Sequence, residues 1–282
     1  MTDDAGSRRS EGWSKTLLSI AGLVLIFLGA AMFLLPEYGV ENFAWNVSPF
    51  MAMTIGGWSI GMGLMALDAA RLWARNGLSR VYASVVAVWL FCVLELAVVV
   101  GFGALLRTDH WLTYPYLLAL GLGTVSAVLG APILWRRRPL LATQGDGTPR
   151  WLRGTYAVFG VVTLALALAA LVADTSVPRV VPEPLSHFSA TAFAAFLVAL
   201  GAAALPMAVT HDVEPQVQFA RAGIFPDVLA LAAAASFSST FDFTAHPGNW
   251  LYIAAYAVVA VIALGIAWWH RRGNQPVAWR HG

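Results

Sequence analysis

The chain has 282 residues, of which 59% are hydrophobic and 11% charged. Soluble domains carry about 25% charged residues, so this composition excludes a water-soluble globular protein, which could not cover its surface with so few charges. The net charge of +2 and pI near 8.9 do not point to nucleic acid either, because the basic residues stand in short runs beside apolar segments, the pattern of membrane flanks.

A helix needs about 20 mostly apolar residues to cross a bilayer. Eight stretches meet that length, at 16–35, 47–67, 81–106, 112–135, 154–173, 188–210, 222–241 and 249–269. Residues 1–14 are polar and expected to be disordered and cytoplasmic. The first stretch exceeds the 7–15 residues of a signal-peptide core and reads as a span. The second opens with Ser48-Pro49, where the missing proline N–H costs nothing. It contains Gly57 and Gly61, a GxxxG spacing that lets helices approach closely where lipid gives them no hydrophobic reason to associate. These glycines read as packing residues within the chain, with a homodimer seam as the alternative. At its end Asp68 and Arg71 are spaced to pair across one turn.

The third stretch holds Cys92 and Glu95. One cysteine in the chain excludes an intrachain disulfide or a CxxC site, so Cys92 reads as packing. Glu95 lies between Arg80 and Arg107 and is placed near the midplane. Hydrocarbon cannot hydrogen-bond a carboxyl group, so Glu95 is expected to face the bundle and hold a partner. The fourth stretch carries Pro115 in its first turn and Pro132 in its last, and ends on Trp135-Arg136-Arg137-Arg138. A basic linker over 139–153 follows, then the fifth and sixth stretches, the latter with Pro206 near its end. The seventh holds Asp227, placed near the inner interface, and closes with Ser236-Phe237-Ser238-Ser239-Thr240. That hydroxyl run is placed at the depth of Glu95, so Ser236, Ser238 and Ser239 are the expected donors to its carboxyl. A tail over 273–282 follows the eighth stretch. Trp45, Trp111, Trp135, Trp250, Trp268 and Trp269 fall at span ends, as interfacial anchors do.

Orientation follows from Lys and Arg. Of the 17, only Arg107 and Arg179 fall on one side of an eight-span chain. Basic loops stay inside, so both ends are expected in the cytoplasm, with the protein in the cell inner membrane.

A shift of 138 residues lays the chain on itself. Ser48, Phe50 and Ala52 meet Ser186, Phe188 and Ala190; Trp58 meets Phe196; Gly22 and Gly63 meet Gly160 and Gly201. The offset then shrinks, His110 meeting His246 at 136 and Trp135 meeting Trp269 at 134. The expected fold is therefore all-α, eight transmembrane helices in two tandem parallel four-helix repeats, 15–138 and 154–272. Trp45-Asn46-Val47-Ser48-Pro49, leading into a Gly- and Ala-rich helix, resembles a group of uncharacterised prokaryotic multi-pass membrane proteins with a Trp-x-hydrophobic-Ser/Thr-Pro lead-in. That resemblance covers mainly the first two spans and implies no activity.

Chemistry is sparse. His110, His187 and His246 fall at outer span ends beside Asp109, Glu183 and Asp242, and are the candidate metal ligands. No histidine lies inside a span where a b-type haem would want it. There is no Walker loop, GxSxG or HExxH, and no cofactor is implied. The expected partners are the lipid bilayer and, beyond it, protein partners in a membrane complex or a second copy. The expected role is a structural or accessory subunit. The alternatives are a small proton- or ion-coupled transporter using Glu95, and a metal or redox protein using the outer histidines.

Overall fold

The computed structural model describes residues 3–141, 147–172 and 182–273. Among these the chain is all-helical: α1 Asp3–Leu34, α2 Pro36–Asn42, α3 Pro49–Asn76, α4 Tyr82–Gly101, α5 Thr113–Leu141, α6 Arg150–Val172, α7 His187–Ala204, α8 Val213–Ser236 and α9 Asn249–Gly273. All but the short α2 are long and apolar enough to cross a membrane. Short links make successive spans run in opposite directions. Both ends of the bundle's chain therefore lie on one side, here the terminal end, and α3, α5, α7 and α9 begin at the far end.

Helix starts follow local chemistry. Ser48 Oγ accepts the Met51 N–H at 3.1 Å, and Ser186 Oγ accepts the Ser189 N–H at 3.1 Å. These are N-caps that satisfy one of the open amides of a first turn. Asp212 does the same for Glu214 at 3.0 Å. α3 stops at Gly77, whose φ of 85° is one that side-chain-bearing residues avoid. α4 and α8 stop alike, capped by Phe102 and Phe237, each followed by a single 3-10 turn, Gly103–Leu105 and Ser238–Thr240.

Packing is built on small residues. α1 lies along α3 and α5, α6 along α7, α4 on α5 and α8 on α9. Across the middle, α3 lies on α8 and α7 on α4. At the α1–α3 crossing a Cβ on Gly63 would sit 2.6 Å from the Gly22 carbonyl oxygen; at the α6–α7 crossing a Cβ on Gly201 would sit 3.1 Å from that of Gly160. Gly57 and Gly61 serve α3 against α8: a Cβ on Gly61 would lie 2.6 Å from Pro226, and one on Gly57 2.9 Å from Leu229. They thus serve packing within the chain.

Several expectations give way. Residues 3–14, expected as disordered, continue α1. Glu11 accepts from Arg137 and from Trp73 Nε1, both at 2.9 Å, and Ser14 Oγ donates to the Ser126 carbonyl at 2.8 Å. Polar composition read as disorder here supplies the clamp between α1, α3 and α5. Asp68 and Arg71 form no ion pair. Trp45 is no interfacial anchor: it is 4% exposed and stacked on Phe188 at 4.4 Å. α8 begins nine residues before the expected 222, because the Asp212 cap sets its start and Arg221 is carried inside the helix. Pro206 ends α7 in a 3-10 turn rather than kinking it. The centre of the 139–153 linker, most of the tail and Arg179 lie outside the described residues.

Candidate functional site

Glu95 is 4% exposed and points into the bundle. It sits six residues before the end of α4, about 9 Å below the far end at 1.5 Å per residue, and so in the far half rather than at the midplane. Its donor is Tyr116, in the first turn of α5, at 2.9 Å. Ser236, Ser238 and Ser239, the expected donors, are exposed at the end of α8 and in the turn beyond it. The misplacement has one cause. α8 begins nine residues before the expected start, so a depth counted from the expected span starts sets Ser236 level with Glu95 although it lies at the helix end.

Glu95 lines a cavity of about 30 Å³, room for on the order of one or two waters. α3 contributes Met51, Ile55, Trp58 and Ser59; α4 adds Phe91; α7 adds Ser189, Ala192 and Phe193; Trp45 closes the far end. The site thus lies where α7 of the second half meets α3, α4 and α5 of the first. Its rings are held rigidly. Trp58 stacks on Phe196 at 4.6 Å and 10°, and Trp45 donates to Ser189 Oγ at 3.2 Å. Ser189 Oγ also accepts from Ser186 Oγ at 3.0 Å.

Arg107 fixes the segment over the cavity. Its guanidinium reaches the Val40 carbonyl at 3.2 Å, Asn46 Oδ1 at 3.1 Å and the Glu41 carbonyl at 3.3 Å, while its amide binds the Ala44 carbonyl at 2.7 Å. Ser48 Oγ donates to Glu183 of the second half. Several bonds thus hold the segment over the cavity in place at the far end.

The chemistry available is narrow. A buried carboxyl with one hydroxyl donor among ring faces suits a proton or a small monovalent cation, which aromatic faces attract.

His110, His187 and His246 do not group with other ligands among the described residues. His110 Nε2 accepts from Arg107 Nε at 2.9 Å, His187 stands edge-on to Phe102 at 5.3 Å, and His246 donates its amide to the Asp242 carbonyl at 2.8 Å. Among the described residues no three His, Cys, Asp or Glu side chains group so as to hold a metal ion. Asp242 is committed to its own turn. The Ala245 N–H, with that of Thr244, holds its carboxyl below the ordinary carboxylate range.

The sequence reading missed Tyr116 and the ring set of Trp45, Trp58 and Phe193. The Gly101-Phe102-Gly103 break would have marked the end of α4 and so put Glu95 level with the first turns of its neighbours. No family model, curated protein or solved structure matches this chain.

Proposed function

We propose that the protein is a small proton- or cation-coupled membrane transporter built from two duplicated four-helix units, with Glu95 as the group that holds the transported charge. The observation that carries it is the Glu95 cavity, bordered by helices of both halves. Secondary transporters built from repeats place substrate and coupling-ion sites at such a boundary. An intramembrane carboxyl facing a cavity is the residue class that marks proton and ion pathways.

Duplication is supported by matched geometry rather than matched letters. The glycine crossings Gly22–Gly63 and Gly160–Gly201 and the caps Ser48 and Ser186 pair at the offset of 138, and the α3–α8 contact answers the α7–α4 contact. The stacked rings Trp58 and Phe196 are themselves offset partners, so the relating axis runs beside the cavity. The uneven distribution of Lys and Arg puts both ends in the cytoplasm and the cavity in the outer half of the inner membrane.

The test is flux in proteoliposomes carrying an internal pH dye, driven by a potassium diffusion potential. The expected result is proton or monovalent-cation movement that Glu95→Gln abolishes while folding normally. Wild-type vesicles that stay tight to protons and to alkali cations would overturn the reading.

One observation favours a second reading, an accessory subunit of a membrane assembly. α1 packs along α5, whereas α6 and α9 touch little among the described residues, Trp151 and Trp269 standing 5.3 Å apart near the terminal end. Leu152 falls where Ser14 would place its clamp. The separation leaves an apolar face on α6 through Val158, Val161 and Leu168. A stoichiometric membrane partner crosslinking to α6 and α9 would support that reading; crosslinks confined to other helices would remove it.

A further inference from the structure

α5 and α9 each carry a tyrosine as their fourth residue, Tyr116 and Tyr252. In the first half the tyrosine meets Glu95, six residues before the end of α4. Six residues before the end of α8 is Ala230, fully buried. Tyr252 has kept its place and lost its acid, and its hydroxyl is buried without a hydrogen bond.

The second half does hold an acid. Asp227 lies three residues deeper than Ala230 on α8, and Tyr256 four residues deeper than Tyr252 on α9. α8 runs toward the far end and α9 away from it, so both shifts are about one helical turn in the same direction. Acid and tyrosine have moved inward together. The Asp227 carboxyl acts electrostatically on the Tyr256 hydroxyl but forms no hydrogen bond or ion pair among the described residues.

The space around this pair is polar. Tyr252 faces Thr54 and Tyr256, and Tyr256 faces Trp58. The two tyrosine rings lie 4.9 Å apart. Yet Thr54 Oγ1, Trp58 Nε1 and the Tyr252 hydroxyl complete no hydrogen bond, although these residues are only 1%, 6% and 3% exposed. Buried polar atoms that face one another without an aligned hydrogen bond are groups that a bridging water can serve.

We propose that Asp227 and Tyr256 form a second intramembrane acid–tyrosine site, the counterpart of Glu95 and Tyr116, which takes up a proton through water held among Thr54, Trp58 and Tyr252. The proposal rests on the duplication argued above but not on any flux through Glu95. Other titratable groups stand clear. α3 meets this stretch of α8 through Gly57 and Gly61, and its Asp68, Arg71 and Arg75 lie two turns or more toward the terminal end. α4 turns Glu95 to Tyr116 and Cys92 to Gly123. Arg221 is six residues back on α8 itself. On α9 the facing groups are Tyr252 and Tyr256.

The experiment treats the full chain in liposomes with dicyclohexylcarbodiimide, which reacts with protonated carboxyls in apolar surroundings, and reads the modified residues by peptide mass spectrometry from acid to alkaline pH. Asp227 should be modified in the wild type and equally in Glu95→Gln, less so as pH rises. Tyr256→Phe removes a hydroxyl that favours the carboxylate through water. The Asp227 profile should therefore move to higher pH by about one unit, a tenfold change in proton affinity, with the Glu95 profile unmoved. Thr54→Val, which removes one water ligand at little cost in shape, should move it the same way should Tyr256→Phe fail to fold. Asp227 unmodified at every pH, or a profile that neither variant moves, would overturn the proposal. Loss of Glu95 modification with Asp227 still reacting would count against the transport reading alone.

Discussion

Tyr116 donates to Glu95 inside a small cavity, and the consequences of changing each atom follow from that. Glu95→Gln keeps an oxygen acceptor of the same size, so stability should stay within about 1 kcal/mol of the parent while charge transfer is lost. Glu95→Leu strands the Tyr116 hydroxyl and should destabilise by about 1–3 kcal/mol, as should Tyr116→Phe, which strands the carboxyl. Thermal unfolding in detergent, read beside flux, separates a carboxyl that works from one that only fills space. A Glu95→Gln chain that folds and still moves charge would remove Glu95 from the mechanism.

Helix crossings respond to single methyl groups. A Cβ on Gly63 would meet backbone, 2.6 Å from the Gly22 oxygen and 3.0 Å from Ile26 N; one on Gly201 would meet the movable Leu164 side chain at 2.9 Å and backbone only at 3.1 Å, the Gly160 oxygen. Backbone cannot yield and a side chain can. Gly63→Ala should therefore destabilise by about 2–3 kcal/mol, Gly201→Ala by less, within the usual range for overpacking. Gly223→Ala, with nothing within 4 Å, should be neutral. An equal loss at Gly63 and Gly223 would mean that the α1–α3 crossing is looser than described. Ser48→Ala and Ser186→Ala should each cost about 1 kcal/mol as lost N-caps, measured as a shift in the same unfolding curves.

Between the halves, Ser48 donates to Glu183 at the far end. In a Cys92→Ala background, Ser48→Cys and Glu183→Cys should be joined by a short thiol-specific crosslinker. If transport requires the halves to part there, joining them should stop flux and reductant should restore it. Flux that continues through the joined protein would place the exit elsewhere. Orientation is tested in the same background. Asp109→Cys, at a side chain 82% exposed at the far end, should react with impermeant maleimide from outside intact cells. Asp146→Cys, outside the described residues, should react only after permeabilisation. The reverse pattern would invert the protein in the membrane.

The sequence by itself determined the spans and their small-residue contacts. Charge scarcity, run length and glycine spacing are local properties, and a bilayer about 30 Å thick turns them directly into helix number. Ser48-Pro49 likewise marked the start of α3, because capping acts within one turn. The structure decided which polar group meets which, and there the local pattern misled. An error of nine residues at the start of α8 is two and a half turns, enough to exchange a helix-end hydroxyl run for an intramembrane Asp227. Trp45, Glu11 and Ser14 look like surface residues in the chain. They are bound by Ser189, Arg137 and Ser126, partners more than a hundred residues away that nothing in their own neighbourhood announces. A carboxyl in lipid must find a donor, which the sequence could require. That the donor is Tyr116 depends on the relative rotation and depth of α4 and α5, which side-chain packing across the whole bundle sets.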